Sequence, residues 1–408
     1  MAWPKDGLPL PEGLERILDT AYHASFLRDE ERPVTFRVLC LDPGVLPPDQ
    51  GPPTGLQPLA FAAHRDFDEH EIRRLSPAAK YHRALIGICE REGGVQTWGI
   101  VQSGPRWLQS AHGGRAAEAL MPACLVVRVM RPGHLAVSCG LDAVAELRGG
   151  KLTDFTIDVF QSKWLATLFR AERVVDPGGL ESTLIETFGQ LQVSGEITSN
   201  IEEAVALARF VAQQMLKRVI AVMRGSHHGG TIVVLPSDCT ATRFLAAKYP
   251  IAEGEPRRRF RRLSLAILKE VEQQRISIEP LAAYRSTSGD TLSELDDALF
   301  ELSTLIGSLA EVDGAVVLTK RFEILGFGAE ILGDLPQVST VRRALDLEAN
   351  TTCIEQADGV GTRHRSAYRL CAAVPGAIAL VVSQDGNIRF VTYRPDGVTY
   401  WDHAAGDE

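Results

Sequence analysis

No stretch of this sequence reaches the ~18 to 20 uninterrupted apolar residues that a membrane-spanning helix needs. Its first residues, Met1-Ala2-Trp3-Pro4-Lys5-Asp6, lack the basic region and apolar core of a secretion signal. No Cys-x-x-Cys pair occurs among the seven cysteines, Cys40, Cys89, Cys124, Cys139, Cys239, Cys353 and Cys371. That spacing excludes a zinc ribbon or dithiol motif, and the odd count speaks against a disulfide frame; the cysteines read as small buried thiols of a reducing cytoplasm. Positive charge is also in short supply. A net charge of −9 and a pI near 5.7 argue against a chain-wide nucleic-acid surface. A nucleotide pocket needs only a few local cations and stays open. There is no internal repeat. What remains is ordinary globular composition, 45% hydrophobic and 23% charged, over 408 residues, enough for two or three domains.

Proline and glycine crowd residues 1–55, and Leu46-Pro47-Pro48-Asp49-Gln50-Gly51-Pro52-Pro53 reads as a loop or extended linker. Strands are expected at Ala84–Cys89, Thr97–Val101 and Leu125–Val129, which are apolar or β-branched and bounded by glycine or proline. Asp154–Phe160 is either a further strand or the lead into a helix through Trp164, Leu165 and Leu168. This half reads as mixed α/β. After a polar break at 194–200, Ser199 or Asn200 can cap a helix over 201–220, with Glu202 and Glu203 in its first turn. Gly229-Gly230 then leads into the strand Thr231–Leu235. A second long helix is expected from Thr291-Leu292-Ser293-Glu294, which has capping-box spacing, and it delivers the chain to a strand at Ala315–Leu318.

Two motifs carry chemistry. Asp313-Gly314-Ala315 puts a carboxylate at the mouth of an apolar strand, with small neighbours that leave room for a close ligand. It suits either a divalent metal and activation of a hydroxyl, or a plain Asp-Gly turn. Gly361-Thr362-Arg363-His364-Arg365-Ser366 offers backbone N–H groups, hydroxyls and guanidinium forks at the start of a helix expected over 363–372. That set favours phosphate. The apolar run Ala377–Val382 follows and ends at Ser383.

In this order the motifs resemble the Asp-Gly-Ala and Arg-His-Arg signatures of the diadenylate cyclase family, which condenses two ATP into cyclic di-AMP. The resemblance covers roughly the C-terminal half. It implies an α/β fold, with a C-terminal mixed β-sheet flanked by helices preceded by a separate mixed α/β N-terminal domain. The expected domains are 1–195, a sensor for an unknown small ligand, and 200–405, the cyclase-like domain with an insertion at about 240–285. By resemblance, Asp313, Gly314, Ala315, Arg363, His364 and Arg365 are catalytic. Gly361, Thr362, Arg363, Ser366 and Ser383 bind the nucleotide, and Asp313 with Asp385 holds Mg2+ or Mn2+. One first turn cannot aim Thr362, Arg363, His364 and Arg365 into a single pocket, so His364 or Arg365 is expected to be partly structural or to serve a neighbouring subunit. The partners implied are ATP and a second copy of the chain, as a homodimer or higher oligomer with cyclase domains face to face. No membrane and no nucleic acid is expected, unlike family members with N-terminal membrane helices or a DNA-binding helix-hairpin-helix module. The location expected is cytoplasmic.

The sequence departs from the family at three points. Gln384 stands where many members have an acid, and Asp385-Gly386 serves equally as a hairpin turn. The stretch between the motifs is long and includes the glycine-rich Leu325–Ile331, which either lines a base pocket or lets a strand bend. No helix-hairpin-helix module is recognisable. Further features have two readings each: His227-His228-Gly229-Gly230 is a tight loop, or an oxyanion-hole turn or metal site; Trp98, Trp107 and Trp164 are core, or line an N-terminal ligand pocket; the basic run 257–262 is a solvated face, or touches nucleic acid or a partner subunit's triphosphate.

Overall fold

A computed structural model describes residues 3–4, 7–52, 55–104, 121–148, 150–154, 158–168, 201–226, 228–236, 244–254, 256–274, 279–286, 289–332, 335–384 and 386–403. The chain divides into two compact units, Met1–Thr156 and Ile157–Ala404. Each contains a mixed sheet flanked by helices, the α/β class expected. Among the described residues no helix is long and apolar enough to cross a membrane.

In the first unit α1 (Leu14–Ala24) precedes a two-rung hairpin, β1 (Arg28–Asp29) and β2 (Arg32–Pro33). Then come β3 (Phe36–Cys40), β4 (Gln57–Asp66), α2 (Glu69–Leu75), β5 (Ala84–Arg91), β6 (Gly94–Gln102), β7 (Leu125–Arg131), β8 (His134–Cys139), β9 (Asp142–Arg148) and β10 (Lys151–Asp154). Eight of these strands form one sheet in the order β10-β9-β8-β7-β3-β5-β6-β4, antiparallel except for β3 with β5. The two-residue period of a strand sorts its side chains by face. Phe36, Val38, Ile86 and Val127 pack with Ile17, Ala21 and Ala24 of α1 and Ile72 of α2. Leu39, Leu85, Val101 and Val126 belong to a second cluster around Trp98. Trp98 is core, as its plain reading held: its indole N–H donates to the Leu41 carbonyl at 2.8 Å. Gly87 makes room for it, since a Cβ there would lie 2.4 Å from the ring. Trp107 lies outside the described residues.

The second unit begins with α3 (Lys163–Leu168), reached through a 3-10 turn at Val159–Gln161, and continues with α4 (Ile201–Gly225), β11 (Gly230–Leu235) and β12 (Leu245–Pro250). Next are α5 (Arg259–Gln274), α6 (Pro280–Ser286), α7 (Asp290–Leu309), β13 (Ala315–Thr319), β14 (Ile324–Ile331), β15 (Thr340–Ala344) and β16 (Thr352–Gln356). It ends with α8 (Thr362–Ala373), β17 (Ile378–Val382), β18 (Ile388–Arg394) and β19 (Gly397–His403). Nine strands form one sheet, β12-β14-β13-β11-β17-β18-β19-β15-β16. The central strands β11, β13 and β17 are buried along their whole length, as their unbroken apolar runs demand. Leu370 of α8 and Val374 just beyond it pack on Val233, Leu235, Ala315 and Val317, while Ala367 and Cys371 pack with Ala379, Val381 and Val391. α4 and α7 pair with each other, and Gly307 lets them approach: a Cβ there would meet Val222 at 2.4 Å.

Several expectations change. The capping box at 291–294 is not used; α7 starts two residues earlier, with Gly289 at its N-cap and no side-chain cap. The cap expected at Ser199 or Asn200 lies outside the described residues. Trp164 belongs to the second unit, where it stacks on Trp401 with ring centroids 4.3 Å apart. The segment 240–285, expected as an insertion, supplies the edge strand β12 and the helices α5 and α6. Within its basic run, Arg257 and Arg258 pair with Glu323 at 3.8 and 3.6 Å. Of the cysteines expected to be buried, Cys353 is exposed on β16; burial pushes the Cys124 and Cys371 thiols up to about 12.

The helical layer is locked by a buried ion pair. Arg218 of α4 donates through Nη2 to both carboxylate oxygens of Asp296 on α7, at 2.8 Å each, and through Nη1 to the Asp296 carbonyl at 3.1 Å. Tyr284 of α6 donates to the same carboxylate at 3.1 Å. Removing one partner of such a pair leaves the other charge buried and unmatched. Arg218→Ala is therefore expected to destabilise the fold by about 3 kcal/mol, read as a lower denaturant midpoint; an unchanged midpoint would show the pair to be idle.

Candidate functional site

β11 and β13 run parallel, with Thr231 opposite Ala315, and β17 runs antiparallel, with Gly230 opposite Val382. The starts of β11 and β13 and the end of β17 therefore share one end of the sheet. Asp313-Gly314, Gly229-Gly230 and Ser383-Gln384 all lie there. Glycine is required at this end because backbones touch. A Cβ on Gly229 would lie 2.8 Å from the Val382 carbonyl oxygen and 2.9 Å from the Gln384 nitrogen. A Cβ on Gly314 would lie 2.5 Å from the Gly328 carbonyl carbon, and Gly314 has φ +115°, a conformation that side chains resist. Gly328 itself sits at φ +59° where the β13–β14 ladder slips register. Leu325–Ile331 is thus a bent strand, and its Phe327 stacks on Tyr249 of β12 with centroids 4.7 Å apart.

Asp313 is exposed, at the mouth of β13. Ser383 begins the β17–β18 hairpin: its hydroxyl accepts from the Asn387 N–H at 3.1 Å, and its carbonyl accepts from the Gly386 N–H at 2.8 Å. This is the turn that Asp385-Gly386 suggested, although Asp385 lies outside the described residues. Among the described residues no group of three or more His, Cys, Asp or Glu could hold a metal. One exposed carboxylate fits a magnesium-like ion that takes its remaining ligands from water and phosphate oxygens, and does not form an all-protein cage.

α8 carries the second motif. Val374–Ala377 turns the chain from the helix into β17; the N-terminal half of the helix packs over β17, β18 and β19, with His364 beside Arg389, which pairs with Val381 near the end of β17. Gly361 is the N-cap, with extended backbone and no side-chain cap. Thr362, Arg363 and Arg365 are exposed, while His364 and Ser366 are half-buried. Two arginines in a first turn stand against the helix dipole, an arrangement relieved when an anion occupies that end. The side of α8 turned to the sheet carries a network that sequence reading missed. Arg389 of β18 donates through Nε to Asp402 at 2.9 Å and through Nη1 to the Tyr368 hydroxyl at 2.8 Å. Its guanidinium lies 3.9 Å from the Tyr400 ring centroid. Arg343 of β15 reaches the other Asp402 oxygen at 3.3 Å, and the Tyr400 hydroxyl donates to Glu355. Tyr368, four residues beyond His364 on the same helix face, was the one signal of it in the sequence.

His364 adjoins this network. Burial pushes its imidazole down to about 4; the nearby Arg389 guanidinium adds to the effect and Asp402 opposes it. The imidazole is therefore neutral at pH 7, half-buried beside the network, whereas Arg363 and Arg365 are exposed.

Residues 3–102 match the family model described as "Probable sensor domain DACNV", a span running through α1 and β6 of the first unit. No curated protein matches the chain, and no solved structure does. The match agrees with a sensor role for the N-terminal half.

Two outcomes are expected. The folded His364 pKa lies below the ordinary value of 6.5, so between pH 4 and 6.5 the unfolded chain binds more protons than the folded one. This contribution is present in full above pH 6.5 and lost as pH falls through 4. His364→Asn should remove about 1 to 2 kcal/mol of that pH dependence, measured by denaturation across the range; an identical pH profile would contradict the burial. Gly314→Ala should lower the melting midpoint by several degrees through its forced φ and its collision with Gly328; a neutral effect would mean the two backbones are not packed.

Proposed function

We propose that the second unit is a diadenylate cyclase domain governed by the first. One juxtaposition supports the reading: the same sheet carries an exposed carboxylate at the glycine-lined mouth of β13 and, over β17 to β19, a helix whose arginine-bearing N-terminus has no side-chain cap. Sensor domains of the DACNV type typically accompany diadenylate cyclases, which supports the same reading.

Each domain takes one ATP. The first-turn N–H groups of α8, the Thr362 and Ser366 hydroxyls and the forks of Arg363 and Arg365 bind its phosphates, with Gly361 leaving space for them. Ser383 borders the same pocket. The 3′-hydroxyl of one nucleotide attacks the α-phosphorus of the other. One P–O bond forms, pyrophosphate leaves, and the same step in the opposite sense closes the ring. Because each nucleophile is held by the facing domain, turnover requires two copies related by twofold symmetry. Asp313 orients the hydroxyl and draws its proton. Asp313 would also hold a Mg2+ or Mn2+ ion, which would supply charge neutralisation at the reacting phosphate. His364, neutral and packed beside Arg389, positions the helix turn and does not add charge. The protein's contribution is alignment and charge neutralisation. In this reading the N-terminal unit controls how cyclase domains pair, so its ligand alters rate or assembly.

A second reading is nucleotide binding without turnover. Gln384 in place of an acid favours it, as does the lack, among the described residues, of a three-ligand metal cluster.

The deciding assay incubates the full chain with ATP and Mn2+ and resolves the products by chromatography. Cyclic di-AMP and pyrophosphate are expected from the parent. Losses of at least about a hundredfold are expected in Asp313→Asn and Arg363→Ala. Bound ATP without product supports the second reading, and a linear or mixed dinucleotide would replace the product assigned here.

A further inference from the structure

On the sheet face of the first unit that carries Leu39 and Val126, one row of residues crosses four neighbouring strands. Arg37 of β3 lies opposite Arg128 of β7, Arg128 opposite Ala136 of β8, and Ala136 opposite Glu146 of β9. Like charges set directly across two strands repel. Here both arginines are also buried, Arg37 at 0% and Arg128 at 2% exposure. Arginine is almost never fully buried unless it is matched.

The two guanidinium groups have different surroundings. Arg37 donates through Nη2 to the Ser103 hydroxyl at 3.0 Å and to the Ala84 carbonyl at 3.3 Å, and lies 5.7 Å from the Tyr81 ring centroid. Burial lowers its pKa to about 9; Tyr81 opposes that shift and Arg128 adds to it. Arg128 is the exception. Its Nε and Nη2 are buried and have no hydrogen-bond partner. The carboxylate in the row, Glu146, is bonded to His134 Nε2, and His134 Nδ1 accepts from Arg131 Nε at 3.1 Å. A buried donor left unmet is expensive and calls for a partner.

We propose that Arg37 and Arg128 form the anion-recognising end of a ligand site in the N-terminal unit, which takes a small molecule bearing a phosphate or carboxylate group. Two guanidinium forks side by side suit an oxyanion, which offers several lone pairs to planar donors and cancels their mutual repulsion. Tyr81 and Ser103 lie against Arg37; desolvation lowers the pKa of the exposed His82, and Arg37 is near enough to add to that shift. The site lies in a different unit from Asp313 and Arg363, so the proposal stands apart from the cyclase reading.

The test titrates the full chain with inorganic phosphate and, separately, with succinate, at ionic strength held constant with sodium chloride. The thermal midpoint and calorimetric heat are read. At least one anion should raise the parent midpoint by several degrees at saturation. A response to phosphate alone assigns a phosphate-bearing ligand, and one to succinate alone a carboxylate-bearing ligand. Arg128→Met should lose the shift and, having shed an unmatched charge, should melt no lower than the parent without anion. Arg128→Lys keeps the charge but not the fork, so its affinity should fall about tenfold. Asp313→Asn should bind as the parent does, which lets this proposal and the cyclase reading fail separately. Phosphate drawn to α8 instead would give a shift that persists in Arg128→Met. Such a shift, or no shift with either anion, would overturn the proposal. Should Arg128→Met not fold, an Arg128→Lys affinity equal to the parent's does the same.

Discussion

Arg389 is the joint on which the candidate site depends. From one position on β18 it reaches Asp402 and the Tyr400 ring on β19 and the Tyr368 hydroxyl on α8. A helix resting on a sheet through alanine, leucine and cysteine contacts could slide by a fraction of a turn at small cost. A hydrogen bond from a guanidinium that is itself fixed by Asp402 holds it at Tyr368. Because Arg389 meets Tyr368 one turn after His364, it is the second turn of α8 that is held, next to the motif. Asp402 is in turn shared with Arg343, which ties the anchor to β15 and, through Glu355, to β16. Within the motif the residues differ: burial keeps His364 neutral beside the network, and the flanking arginines remain at the surface.

The opposite constraint acts at the strand ends. Here the chain achieves closeness by omitting side chains. Gly229 lies against the β17 hairpin and Gly314 against Gly328, so three turns converge without a Cβ between them. Asp313 is carried to the mouth of β13 by that compression. Arginines at a helix start, against the dipole, and a glycine at φ +115° are both locally unfavourable. Departures from local rules are expected at functional sites, and in this unit they belong to the two motifs that the sequence singles out. The first unit offers a parallel in Arg37 and Arg128, two like charges placed opposite each other and withdrawn from water.

Much of this was legible in the chain. The runs Thr231–Leu235, Val316–Leu318 and Ala377–Val382 could only be strands buried on both faces, and they occupy the centre of the second sheet. Asp313-Gly314 and Gly361–Ser366 named the ends of two elements, and those ends lie where the strand directions bring them. The box at 291–294 misled because Gly289 allowed α7 to begin earlier. Trp164 misled because proximity in sequence to the first unit outweighed, on paper, an aromatic partner more than two hundred positions away at Trp401. Arg389, Asp402 and Tyr400 were invisible as a group: each sits in an ordinary strand, and only antiparallel pairing of β18 with β19 makes them neighbours.

By itself the sequence determined which elements form, since period, glycine placement and apolar runs are local properties. It also singled out the two short segments, Asp313-Gly314-Ala315 and Gly361–Ser366, on which the proposed function rests. Only the tertiary structure decided what those segments meet: that β11 and β13 run parallel while β17 returns, that α8 is held by Arg389, and that two arginines ninety-one positions apart, Arg37 and Arg128, face each other across a ladder. Strand order and register are set by long-range pairing, which a one-dimensional pattern constrains but does not specify.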